Sequence, residues 1–283
     1  MDASRRSYDE QAARWNGPAG HAWVDLQGLL NDMFRPLEEL LVDAVATEHP
    51  ARVLDVGCGT GGITRAVARR TGHCVGVDIS GPMIEEARAR AEQEGVAASF
   101  IQADAQEYAF EPAAFDAVVS RFGVMFFSDS VRAFTHIRSA VKDGAGLRCL
   151  VWRGAEENPF MTTAERAAAP FLPELPARQP DQPGQFAFAD PDRVHRILSD
   201  SGWSGIDIQP VDAVCTLPER DLVTYFTRLG PLGTVLPGTD ARTRAEIVEV
   251  VRPAFDPFVE GTEVRYTAAC WMVSARSADA KLS

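Results

Sequence analysis

Three aspartates at similar spacing are the side chains best placed for chemistry: Asp55, Asp78 and Asp104. Each sits in or just after a short apolar run, "RVLDVG", "HCVGVDI" and "SFIQADA". After the first comes a glycine-rich turn in which Gly57, Gly59 and Gly62 have the G-x-G-x-x-G spacing. Glycines in such a turn let backbone approach a ligand closely and adopt positive φ without a Cβ clash. Nucleotide-type sites of several kinds share that property, so the glycines alone do not choose among ligands.

The acids do choose. Asp55 beside a pyrophosphate would set like charges a few Å apart in a partly desolvated cleft, which is unfavourable. Near an ammonium or a sulfonium the same carboxylate is attractive. S-adenosylmethionine carries both cations and lacks a phosphate, so the charge argument favours it over NAD. Asp78, ending the second strand, can accept both ribose hydroxyls, and Asp104, ending the third, can accept the adenine amino group. Ends of adjacent parallel strands face one crevice, so the three acids are expected to converge on one rim.

The elements that must position them alternate. From residue 50 the pattern runs strand, helix "ITRAVARRTG", strand, helix "PMIEEARARAEQEG", strand, then strand "FDAVVSRF", helix "SVRAFTHIRSAVKDG" and strand "GLRCLVWR". This calls for a mostly parallel sheet covered on both faces by helices, an α/β fold. Pro82 marks a helix start, and Gly95 and Gly144 read as C-terminal caps. One domain is expected over 1–283. It comprises a helical cap (1–49), a cofactor-binding core (50–153), a proline-rich lid insert (154–189), C-terminal helices with the last two strands (190–276) and a tail (277–283). In the cap, Met33, Leu37, Leu40, Leu41 and Val45 form a helical stripe. Five prolines between Pro170 and Pro183 make the insert an irregular connection, and such segments are commonly lids. Beyond it come helix "DPDRVHRILSDSG", strand "GIDIQPVDAVCTL", two further helices and a final strand "EVRYTAACWMVSAR".

A net charge of −12 argues against nucleic acid or an anionic membrane surface as partner. No apolar run reaches the roughly 18 residues that span a bilayer, and no signal peptide is expected. Five scattered cysteines with no C-x-x-C pair point to buried free thiols in a reducing cytoplasm, and no metal site is expected.

The segments "LDVGCGTG", "VDIS", "ADA" and "FDAVVSRFGVMFF" resemble successive motifs of class I S-adenosylmethionine-dependent methyltransferases, in particular the bacterial group similar to ubiquinone and menaquinone methyltransferases. The resemblance implies a Rossmann-like three-layer fold, with a seven-stranded sheet whose last strand is antiparallel. It implies that Gly57 and Gly59 lie by the methionyl part and Asp78 by the ribose. Ile79 and Met83 would flank the adenine, Asp104 and Ala105 would bind its edge, and the backbone around Ser120 and Arg121 would line the methionyl end. S-adenosylhomocysteine is then the product. The N-terminal segment and the proline-rich insert depart from the quinone enzymes, so no quinone substrate is carried over.

Methyl transfer needs mainly the acceptor held about 3–3.5 Å from the methyl, so a sparse catalytic signature is expected. The stretch "SYDEQAARWNGPAGHAW" supplies Tyr8, Trp15 and Trp23 as acceptor-pocket residues and His21 as a candidate base. Met125 and Phe126, after the fourth strand, and Phe160 and Phe188, bracketing the insert, complete an apolar lining suited to a small metabolite. Two other readings stand beside it. One is a methyltransferase-fold protein turned to non-methylating chemistry such as cyclisation; the other is a non-catalytic cofactor-binding protein.

Overall fold

The computed structural model describes residues 3–172, 175 and 182–277. Four helices open it: α1 (Ala3–Asn16), α2 (Pro18–Asp25), α3 (Gln27–Met33) and α4 (Arg35–Ala46). Then β1 (Val53–Val56), α5 (Gly62–Thr71), β2 (Cys74–Asp78), α6 (Gly81–Glu94), β3 (Ala98–Gln102), β4 (Phe115–Arg121), α7 (Ser130–Ser139) and β5 (Val141–Trp152) alternate. α8 (Pro159–Ala168) and α9 (Pro191–Asp200) lead to β6 (Trp203–Pro218), followed by α10 (Leu222–Arg228), α11 (Gly230–Val235) and α12 (Ala241–Ala254). β7 (Val259–Glu260) and β8 (Glu263–Ser277) close the described chain as a hairpin.

One sheet results, in the order β3-β2-β1-β4-β5-β8-β6, with the short β7 paired to β8. β1 to β5 run parallel, and β8 is antiparallel to both β5 and β6. This is the Rossmann-like α/β arrangement. Helices cover both faces, so all four residues of β1 are buried and its sequence is nearly unbroken apolar. β1 has β2 on one side and β4 on the other, and this reversal of strand order opens the crevice beyond the carboxyl ends.

Local chemistry sets the helix ends. Ser80 caps α6 by accepting from the Met83 N–H, Pro82 occupies its first turn, and Gly95 ends it at φ 62°. Gly144 also has positive φ (75°), but it lies inside β5, where a register shift against β4 needs the extra turn. It is therefore not a helix cap. In α4 the inward stripe is Leu37, Leu41, Val42 and Val45, while Leu40 is 43% exposed and faces outward.

The insert is more regular than its prolines suggest. Pro159 starts α8, and Phe160 of that helix is buried, stacked on Tyr266 at 4.0 Å between ring centroids. A proline in a first helical turn favours the helix that follows it. Pro173, Pro176 and Pro180, like the tail beyond residue 277, lie outside the described residues.

Phe188 belongs to the core. It is 2% exposed, packs on Phe134 with centroids 6.2 Å apart, and does not line the crevice. Phe188→Leu is expected to cost about 1–2 kcal/mol of stability, read by denaturant unfolding, and to leave S-adenosylhomocysteine affinity unchanged. A selective loss of ligand binding at full stability would instead return Phe188 to the site.

Candidate active site

The glycine loop is held by backbone meeting backbone. Gly57 has φ 67°, and a Cβ there would lie 2.5 Å from Gly123 Cα. The facing turn begins at Phe122, a non-glycine residue also at φ 67°, whose ring stacks on Trp152 at 4.5 Å. A non-glycine residue in this region costs of order 1 kcal/mol or more and persists where packing holds it. Gly59 differs. A Cβ on it would meet only the Met83 sulfur, at 3.7 Å, so the space over it is open to a ligand.

Asp78 and Asp104 face the crevice. One Asp78 carboxylate oxygen accepts from Gly59 N–H at 2.8 Å and the other from Ser80 N–H at 2.9 Å. Burial raises the Asp78 pKa, and the N–H groups of Ser80, Gly59 and Ile79 pull it back. Each oxygen keeps acceptor capacity for one further donor. Asp104 accepts from Gln106 N–H at 2.8 Å, and burial raises its pKa as well.

Asp55 does not join them. It is 1% exposed, off the crevice, and accepts a hydrogen bond from the Thr64 hydroxyl at 2.6 Å. It is the third residue of a four-residue strand, so the alternation of side chains aims it at α5 rather than over the strand end. The expected direct contact between its charge and a bound cation is thus corrected. The Ser120 side chain is buried and donates to the Val56 carbonyl at 2.7 Å, joining β4 to β1.

The crevice encloses about 1120 Å3, floored by Gly57, Gly59, Asp78, Ile79, Met83 and Ala105 at one end. At the other it is walled by Trp152, Phe160, Met161, Tyr225, Phe226 and Phe255. Small-molecule pockets measure roughly 300–1,000 Å3, so this crevice is a large one.

A family described as a methyltransferase domain matches residues 53–144. An uncharacterized protein of Mycobacterium tuberculosis is 27% identical over 158 residues, 56% of this chain and 57% of that one. Aklanonic acid methyltransferase of Streptomyces sp. strain C5 is 35% identical over 117 residues, 40% of this chain and 53% of that enzyme. The chain spans about half the length of the curated relatives it matches. Among solved structures, the YcgJ protein from Bacillus subtilis superposes with a TM-score of 0.57 at 18% identity, covering 86% of this chain and 98% of that one. The [4+2]-cyclase SpnF gives 0.53 at 18% identity, covering 86% and 81%. Residues 53–144 carry a methyltransferase domain, of the class I S-adenosylmethionine-dependent kind.

The cofactor of this methyltransferase domain is S-adenosylmethionine, and the residues present fit it. Open space over Gly59, two acceptor oxygens on Asp78, the apolar pair Ile79 and Met83, and the Asp104–Gln106 edge form a cradle of the right chemistry. When bound, the cofactor supplies a methyl carbon already activated by a positively charged sulfur.

The methyltransferase crevice is roofed by the N-terminal helices. Asn16 donates to the Ile79 carbonyl at 3.1 Å and accepts from Gly81 N–H at 2.8 Å, while Ser80 donates to the Trp15 carbonyl at 2.6 Å. This strap fastens the α1–α2 corner to the loop that follows Asp78. Trp15 lies edge-on to Phe126 at 5.2 Å and to Trp23 at 6.4 Å, and all three line the crevice, as does Met125. Tyr8 is on α1, with its side chain outside the described residues. His21 is exposed, its Nδ1 2.9 Å from the Gly17 carbonyl of its own turn, and does not reach the crevice. α2 turns Gly20 and Ala22 inward, which leaves the intervening His21 on the solvent side, so it is not a base.

Several lining residues carry no sequence signal strong enough to single them out. Gln106 is buried, its carboxamide oxygen accepting from the Ser128 hydroxyl and Asp129 N–H. Phe34, Tyr225 and the turn around Gly230 come from elements far along the chain. The "GP" pair at Gly230–Pro231 is a usable turn signal. Among the described residues no group of three or more His, Cys, Asp or Glu could hold a metal ion, and no helix is long and apolar enough to cross a membrane.

Proposed function

We propose that this chain is an enzyme that transfers the methyl group of S-adenosylmethionine to a small, largely apolar metabolite. The observation that carries the reading is one continuous crevice with the acidic cofactor cradle at one end and an aromatic chamber at the other. In this reading Asp78 and Asp104 hold the cofactor's sugar and base. Trp15, Phe126 and Phe160 hold the acceptor against the methyl and keep water out. Alignment of this kind is worth effective molarities on the order of 10⁵ M or more, enough for much of the rate without a general base. Catalysis is assigned to positioning, with no side chain as proton acceptor.

A net charge of −12 supports a metabolite rather than nucleic acid as acceptor. So does the relative named for its action on aklanonic acid. Five buried free cysteines support a cytoplasmic setting.

The test incubates methyl-labelled S-adenosylmethionine with the protein and bacterial metabolite extracts, followed by mass analysis of labelled small molecules. The expected result is a labelled product heavier than an extract component by one methyl group less one hydrogen, with the isotope increment of the label added. Calorimetric binding of S-adenosylhomocysteine with no labelled product from any extract would favour non-methylating chemistry on the same fold.

A further inference from the structure

One cation in the aromatic half of the crevice is short of partners. Arg121, the last residue of β4, lines the crevice with its side chain only 12% exposed. Its guanidinium lies over the Phe34 ring, 5.7 Å from guanidinium carbon to centroid. Phe34 is edge-on to Phe122 at 5.7 Å and to Trp152 at 6.1 Å, so the cation rests on an aromatic floor. Its one ion pair within 4 Å among the described residues is with Glu38, at 3.8 Å from Nη1, and that Nη1 makes no hydrogen bond; the buried Asp55 carboxyl adds a more distant attraction. A guanidinium has five N–H donors in a planar fork suited to two oxygens of one anion. Burying such a group without hydrogen bonds is costly unless a partner arrives.

The strand order says which partner. Asp78 and Asp104 place the cofactor over the ends of β2 and β3, with Gly57 and Gly59 after β1. β4 and β5 lie on the other side of β1, and Arg121 and Trp152 end those two strands. The guanidinium therefore belongs to the acceptor's half, while the expected contact with the methionyl end is one of the backbone at Arg121.

We infer that Arg121 is a specificity residue that receives an anionic oxygen group, a carboxylate or ionised phenol, carried by an aromatic methyl acceptor. This rests on the proposed methyltransferase reading and narrows the acceptor to an aromatic acid. Phe34, Phe122 and Trp152 bind its ring system while Arg121 takes its charge. Glu38 holds the guanidinium in place before the acceptor arrives and competes weakly with it.

The test uses the full chain saturated with S-adenosylhomocysteine and titrates it with 2-naphthoate and with its neutral analogue 2-naphthamide. Wild type is expected to bind the acid at least about ten-fold more tightly than the amide, the scale of a charge-assisted pair. Arg121→Met should bring that ratio to near one, with S-adenosylhomocysteine affinity within about two-fold of wild type and melting temperature checked. Glu38→Gln should move the ratio the other way, by removing the competing carboxylate. A wild-type ratio near one, or one that survives Arg121→Met, overturns the inference while leaving the methyltransferase reading intact. Loss of S-adenosylhomocysteine binding in Arg121→Met, with the ratio unchanged, would assign the anion to the cofactor's own carboxylate and also overturn it. Failure of wild type to bind S-adenosylhomocysteine would sink the underlying reading itself.

Discussion

Asp78→Asn is expected to weaken S-adenosylhomocysteine binding about 100-fold while leaving the melting temperature within a few degrees of wild type. The side chain lies at the end of β2 with one oxygen on Gly59 N–H and the other on Ser80 N–H, and it lines the crevice. Each bond from a ligand hydroxyl to a charged acceptor is worth about 1.5–3 kcal/mol; Asn loses one such bond and weakens the other to a neutral one, a loss of roughly 3 kcal/mol in all. At about 1.4 kcal/mol per ten-fold, that is on the order of 10² in affinity. The substitution also turns one acceptor oxygen into a donor NH₂, which cannot take Gly59 or Ser80 N–H. Asn retains the other acceptor and the shape, so the loop should stay folded. Calorimetry with S-adenosylhomocysteine decides it: a change under about three-fold would remove Asp78 from the cofactor cradle.

The sheet is legible in the sequence because its cause is local. Short apolar runs such as "RVLDV" and "CVGVD", separated by amphipathic helices with Pro and Gly at their ends, leave few arrangements other than a covered parallel sheet. The 16-residue β6 and the closing β8 are visible for the same reason. α8 is harder to see, because its leading Pro159 stands just ahead of the proline cluster that breaks regular structure. The two-residue β7 is too short to have a pattern at all.

The cofactor end is readable in part because it is built from strand ends, where consecutive residues share one place. Gly59, Asp78, Met83 and Asp104 each end a strand or follow one by a few residues, and all line the crevice. Two residues before the glycines, Asp55 has the sequence position of a strand end, yet it lies within β1 beneath α5. The end of the crevice proposed for the acceptor draws on Phe34, Trp152, Tyr225 and Phe255, four residues from four distant elements. No spacing rule links them, and each alone reads as ordinary core. His21 has the chemistry of a base, but the burial of its neighbours on α2 decides its orientation, and that burial is a tertiary effect.

Asp55, buried off the crevice, carries the second large effect. Burial lifts its pKa from 3.8 to about 7, against the Thr64 hydrogen bond and the positive charge of Arg121, which lower it. A carboxyl whose folded pKa lies above its unfolded value binds more protons in the folded state. Its contribution to stability is therefore largest below the unfolded pKa and is lost as pH rises toward the folded one. Across the window from about pH 4 to 7 that loss is on the order of 4 kcal/mol, at about 1.36 kcal/mol for each pH unit between the two values. Asp55→Asn cannot ionise, so it should abolish this component of the slope. Its amide oxygen can still accept from the Thr64 hydroxyl, but its NH₂ cannot accept from the Thr64 backbone N–H, a cost of about 1–3 kcal/mol at every pH. The variant should then be less stable than wild type at pH 4 and should equal or exceed it at pH 8, with the two curves crossing between. Denaturant unfolding at both pH values checks this. Parallel curves for wild type and variant would show that Asp55 is ionised throughout, held by Arg121 more strongly than burial opposes it.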